Sequence, residues 1–377
     1  MNTTKFDDIR PFRDEEIPTA MQHITDSEYF PLLAQYVYPD MDLEQVRSRV
    51  KGFSCIREFQ HDAMYHVNEE VIKKSTSGLT FGGMEHLSPD ECYLFVSNHR
   101  DIMLDACLLQ YVLVINGHET SEITFGANLM HPSLVVDIGK SNKMFKVERP
   151  NQMTAREFYN SSMHLSEYIR HCITEKHESV WIAQRNGRTK DGMDKTDQGI
   201  IKMFGMSRPK APIESLSELH IVPVAISYEW ESCDMLKTRE LYLSRRGPYV
   251  KQPGEDLNSI LTGVMQPKGH VHIEICSPVT EADLRQIAET NSASEFHREV
   301  ASLIDKRILA AYRLCPNNYI AHDLLSGTNQ YAGQYTEEQK QRFLKNAERL
   351  RKFKDCDYEE LRQILLAIYA NPVNNRI

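Results

Sequence analysis

The chain has no apolar run long enough to cross a bilayer. The longest, "ACLLQYVLVI" at 106 to 115, is about half of the roughly 20 residues a spanning helix needs, so no transmembrane helix is expected. The opening stretch "MNTTKFDDIRPFRDEEIP" lacks the basic start and apolar centre of a signal peptide, which argues against export by that route. The 8 cysteines are scattered, with no CxxC pair and no zinc-ligand spacing. They read as free thiols of a reducing cytoplasm. Positive charge is not in excess either: Lys+Arg 44 against Asp+Glu 53 gives a formal charge of -9. That balance speaks against a nucleic-acid partner and leaves any anionic ligand to a local basic pocket.

What is present suits a globular protein: 377 residues, 41% of them hydrophobic, are enough for a sizeable core. From about Ile17 to Thr76 apolar residues recur every three or four positions, predicting two or three helices. After "STSG" the texture changes. The short runs "LTFGGMEHL", "ECYLFVSNH", "EITFGAN", "MFKVER", "SVWIAQ", "HIVPVAISYE" and "HVHIEICSPV" read as strands. Helical patterns such as "TAREFYNSSMHLSEYIRHCITEK" and "GIIKMFG" separate several of them. This alternation predicts an α/β fold, a central mixed sheet with flanking helices. The expected organisation is an N-terminal helical region (1–75), a core domain (76–280) and a C-terminal helical region (281–377). Within the core, 231–268 is rich in Pro, Gly and charge and reads as an excursion from the sheet.

The tripeptide His99-Arg100-Asp101 imitates a kinase catalytic loop. The imitation ends there: five residues after Asp101 stands Ala106 instead of a metal-binding Asn, "FGGM" at 81 to 84 lacks the spacing of a glycine-rich loop, and "VIKK" at 71 to 74 lies in a helical stretch. Phosphoryl transfer needs the phosphate cradle and the metal ligands together, so this chemistry is set aside.

Read instead as strand, turn and helix, "YLFVSNHRDIMLDACLL" puts His99 in the turn and Asp105 where the helical pattern opens. A histidine whose second ring nitrogen bonds a carboxylate is held in one tautomer. It becomes the better base and can take the proton of a hydroxyl that attacks a carbonyl. No Ser or Cys nucleophile accompanies the pair, which points to direct acyl transfer. Downstream, "RNGRTK" gathers three cations around Gly187, a residue that lets the backbone approach a ligand. Arginine forks there suit phosphate.

At this point the chain resembles the glycerophospholipid acyltransferase superfamily, in particular its bacterial glycerol-3-phosphate and 1-acylglycerol-3-phosphate branch. Four blocks stand in the family's order over about residues 77 to 280: "VSNHRDIMLD", "GANLMHPSLVVDIGKSNKMFKVERP", "WIAQRNGRTKDG" and "IVPVAISYE". The resemblance implies His99 as general base, oriented by Asp105. It implies an acyl thioester donor on coenzyme A or acyl carrier protein, and as acceptor the hydroxyl of a glycerol phosphate or lysophospholipid. Arg149, Arg188 and Lys190 would bind the phosphate, with no metal or prosthetic group. Two positions depart from the family: Asp105 is the sixth residue after His99 instead of the fifth, so Asp101 competes for the role, and Arg185 stands where the family has Glu. The second departure leaves open a different lipid acceptor, such as an amino-acid lipid, or a non-catalytic lipid-binding homologue. The apolar faces of the N-terminal helices, with Phe30, Leu32, Leu33, Tyr36 and Val37, read first as core packing. Because such acceptors live in a bilayer, peripheral docking at the inner face of the cytoplasmic membrane is a further expectation.

Overall fold

A computed structural model of the chain describes residues 5–149 and 153–376. Pro150, which closes the second of the four blocks, lies outside the described residues. Each of the seven β-rich runs of the sequence forms a strand: β1 (Thr76–Gly82), β2 (Leu94–Ser97), β3 (Glu122–Gly126), β4 (Met144–Val147), β5 (Val180–Ala183), β6 (Ile221–Tyr228) and β7 (Gly269–Ile275). They make one sheet in the order β1-β7-β6-β2-β5-β3-β4. From β6 to β4 all neighbours run parallel, β7 is antiparallel to β6, and β1 is parallel to β7. This is the expected α/β architecture with a mixed central sheet.

β2 lies in the middle, with Leu94–Ser97 paired to Val180–Ala183 on one side and to Ile221–Val224 on the other. It and β6 are buried along their whole length, the continuous apolar signature of strands covered on both faces. Side chains alternate between two cores as the pleat dictates. Leu94 and Val96 join Phe145, Ile169, Phe204 and Ile304 on one face, while Phe95 joins Leu108, Val112, Trp181 and Ile226 on the other.

The segment between β6 and β7 leaves the sheet, but it is more than a loop. It folds into helices Asp234–Ser244 and Glu255–Met265, with Gly247, Pro248, Pro253 and Gly254 in the turn between them. The first of these helices buries Asp234, Lys237 and Thr238 against the core. In the C-terminal region, helix Phe296–Ala311 packs on β6, and helix Tyr358–Asn374 packs on both Pro316–Ser326 and Asp234–Ser244. Among the N-terminal apolar residues, Phe30 is buried in a helical cluster with Ile17, Met21 and Val46. Leu32, by contrast, is 68% exposed.

Candidate active site

The parallel strands all end on one side, and the polar loops that leave β2, β3, β4, β5 and β6 gather there. In parallel sheets ligands bind outside the carboxyl ends of the strands, near the point where the connections change direction. His99 follows β2 directly. Its Nδ1 lies 2.9 Å from Oδ2 of Asp105, in the first turn of helix Leu104–Ile115. The same oxygen accepts the backbone N–H of Arg100 at 2.6 Å and of Asp101 at 2.9 Å, while Oδ1 accepts the Tyr228 hydroxyl at 2.8 Å. Asp105 is fully buried and the His99 side chain is 12% exposed. An ionised carboxylate only accepts, so the imidazole donates to it through Nδ1, and the neutral ring in that tautomer keeps its lone pair on Nε2. Trp181 of β5 meets the imidazole edge-on at 5.8 Å between centroids, and burial together with Asp105 pushes the Tyr228 phenol well above its ordinary value.

The extra residue between His99 and Asp105 is absorbed in the turn. Oδ1 of Asp101 accepts the N–H groups of Met103 at 2.9 Å and Leu104 at 2.8 Å, so Asp101 caps the helix. Its other oxygen takes the Ser232 hydroxyl. Of the two acids, therefore, Asp105 meets the imidazole and Asp101 holds the helix start.

Beneath the turn lie four buried charges. Arg100, 1% exposed, donates to Oδ2 of Asp194 through Nη2 at 2.6 Å and Nε at 3.2 Å, and through Nη1 to Glu231 at 3.0 Å. Lys237 donates to Glu231 and, at 2.7 Å, to the Arg100 carbonyl. Burial pulls the Arg100 guanidinium down, but Asp194 and Glu231 outweigh it and hold the group well above its usual range.

The cationic residues occupy the neighbouring loops. The guanidinium of Arg149, after β4, donates to Oδ1 of Asn128 at 3.1 Å and to Oδ1 of Asn186. It lies so flat on the end of β3 that a Cβ on Gly126 would stand 2.8 Å from its Nη2, and burial lowers its pKa. The loop after β5 is bonded to the His99 turn itself, the Thr189 N–H donating to the His99 carbonyl at 2.7 Å. Gly187 adopts φ +76, with open space where a side chain would be. Arg188 Nη1 is buried and bonds no other side chain or backbone group, as are Gln184 Nε2, Thr189 Oγ1 and Asp194 Oδ1 of the same loop. Buried polar atoms are nearly always hydrogen-bonded, so these four take partners from outside the protein's own groups, water or ligand. Lys190, in contrast, turns to Glu240 and forms an ion pair with it. The structure thus brings His99, Asp105, Arg149, Gly187 and Arg188 to one rim, whereas Lys190 is already partnered. Tyr228, Trp181, Asn128, Asn186, Asp194, Glu231 and Lys237 had not been singled out. Tyr228 lies inside the fourth block and Asp194 just past the third, but only the sheet order puts them under His99.

Among the described residues no three His, Cys, Asp or Glu side chains converge to hold a metal ion, and no helix is long and apolar enough to cross a membrane. A depression of about 900 Å³ on the N-terminal helices, lined by Arg49, Phe53, His61 and Asp62, contains none of these site residues.

The fold and this rim define an α/β protein with a histidine–carboxylate pair at the strand ends. No protein-family model matches the chain, and no curated protein matches it. Among solved structures it is similar to the crystal structure of the 1-acyl-sn-glycerophosphate (LPA) acyltransferase PlsC from Thermotoga maritima, with a TM-score of 0.36 and 14% identity over 79% of this chain and 97% of that one.

Proposed function

We propose that the protein is an O-acyltransferase that moves a fatty acyl group from a thioester to a hydroxyl of a phosphate-bearing lipid precursor. The observation that carries this reading is the His99–Asp105 pair at 2.9 Å, which leaves Nε2 free as a base beside a loop whose Arg188 Nη1 has no partner. The acceptor hydroxyl gives its proton to Nε2 as its oxygen attacks the thioester carbonyl, and Asp105 stabilises the imidazolium that forms. Collapse of the tetrahedral adduct expels the thiolate, which takes the proton back from His99 and leaves as free thiol. The new ester stays on the acceptor.

The donor is an acyl group on coenzyme A or acyl carrier protein, and the acceptor a glycerol phosphate or lysophospholipid. Arg149 and Arg188 hold the phosphate through charge-assisted bonds, with Gly187 allowing close approach and Lys190 contributing only through its pair with Glu240. The reading places the enzyme in the cytoplasm, in contact with the inner face of the membrane where its product belongs.

The test is release of thiol from an acyl-CoA by the purified protein. Thiol is expected only when the acceptor is also present, and His99→Ala is expected to abolish it with the melting temperature kept. Thiol release that ignores the acceptor, or survives in His99→Ala, refutes the reading.

A further inference from the structure

One carboxylate oxygen holds both neighbours of His99. Asp194 Oδ2 accepts Asn98 Nδ2 at 3.2 Å and Arg100 through Nε at 3.2 Å and Nη2 at 2.6 Å. Asn98 is pinned further, exchanging two bonds with the backbone of Ile226 at 2.9 and 2.8 Å. Arg100 is pinned at its carbonyl by Lys237. His99 therefore stands between two fixed residues whose shared anchor comes from the loop after β5, the loop that also carries Arg188.

The place of Asp194 is set from the C-terminal region. Gly192 has φ +81, and a Cβ there would collide with the carbonyl of Ile368. Asn371 Nδ2 donates to the carbonyl of Asp191 at 2.7 Å. The Tyr369 hydroxyl accepts the Glu231 N–H at 2.9 Å and donates to Asp234 at 2.9 Å. Helix Tyr358–Asn374 so touches both the Asp194 and the Glu231 ends of the buried charge cluster. Asp194 itself is 7% exposed, and its Oδ2 carries all three bonds to Asn98 and Arg100 while Oδ1 makes none to the protein.

We propose that Asp194 is a positioning residue that couples the cationic loop to the His99 turn, and that the C-terminal helix fixes where it stands. The proposal rests on the acyl-transfer reading of His99. A base displaced by a fraction of an ångström loses rate without losing substrate affinity, since misplacement of about 1 Å can cost roughly a hundredfold.

Two variants of the full-length protein test it. Asp194→Asn keeps the shape and one acceptor oxygen, and Asn371→Ala cuts the strut to Asp191 with every charge in place. Expected for Asp194→Asn is a fall in kcat of about 10- to 100-fold with KM for the acceptor within about threefold, and for Asn371→Ala a fall of about three- to tenfold. In both, amide hydrogen exchange in residues 97–105 should quicken while the melting curve of Asn371→Ala is retained. A lowered melting temperature with unchanged kcat and unchanged exchange in that segment would mean that Asp194 is only structural, and overturns the proposal. Should the wild-type protein transfer no acyl group, the acyl-transfer reading fails, and the exchange measurement decides the coupling by itself.

Discussion

Asp105→Asn isolates the electrostatic half of the His99–Asp105 pair. Oδ2 already accepts three N–H donors, so the amide oxygen of the variant must take that place and its NH2 must face Tyr228. The Tyr228 hydroxyl can turn to accept it, and the turn keeps its shape. What is lost is the negative charge opposite the imidazolium. For charges about 4 Å apart at an effective dielectric of about 20, that attraction is worth about 4 kcal/mol. The dipole of Asn returns a part, leaving about 3 kcal/mol or a little more, which is two to three orders of magnitude in kcat. Because the charge matters only once the proton has moved, KM for the acceptor should stay within about threefold. The assay is acceptor-dependent thiol release from acyl-CoA, with thermal melting to confirm the fold. A folded variant that keeps more than about a tenth of wild-type kcat would show that Asp105 does not stabilise the charged imidazole.

Asp101→Ala removes the cap on Met103 and Leu104 and should cost about 1 to 2 kcal/mol in urea unfolding, yet leave the folded enzyme turning over; loss of activity as complete as in His99→Ala would hand the orienting role to Asp101. Arg188→Met should raise KM for a phosphate-bearing acceptor by about 10- to 100-fold, the worth of about 1.5 to 3 kcal/mol for bonds to a charged group, and an unchanged KM sinks the assignment. Lys268, fully buried among Ser75 Oγ, Val264 O and Gln266 O, is pushed by burial down to about 8. The folded protein thus releases this proton at a lower pH than the unfolded chain does, and between about 8 and the ordinary lysine value the unfolded chain binds more protons, so stability rises with pH there. Urea midpoints at about pH 7.5 and about pH 9.5 should show that rise weakened in Lys268→Met; equal pH dependence in both proteins counts against it.

The strands were legible because their signal is local. Runs such as "YLFVS" and "IVPVAISY" concentrate β-formers between turn residues. Two residues of the site, His99 and Asp105, were legible for the same reason: a strand, a turn and a helix start within nine residues. Which acid meets His99 was not, since that depends on Asp101 being drawn off to cap the helix. The partners of the other cations were hidden too. Lys190 and Glu240 are 50 positions apart and Arg100 and Glu231 are 131 apart, and parallel neighbours set such meetings through a strand order that the sequence does not spell out. The segment 231–268 leaves the sheet as its composition indicated, and only the helices within it stayed hidden. Gly247, Pro248, Pro253 and Gly254 are turn signals that separate two helices, and the polar face of the first is turned inward to Arg100 and Tyr369.

The charges of Arg100, Lys237, Asp194 and Glu231 sum to zero in a place that water does not reach. Neutralising any single member strands its opposite in the interior, at about 3 to 5 kcal/mol from a total stability on the order of 5 to 15. The four positions therefore cannot drift independently. A library that randomises them one at a time should return chains with lowered melting temperatures, least so for near-isosteric changes, while one that replaces all four together with apolar residues of matching volume should recover the lost stability. Three segments far apart in the gene, around codons 100, 194 and 231–237, are in that sense inherited as one locus.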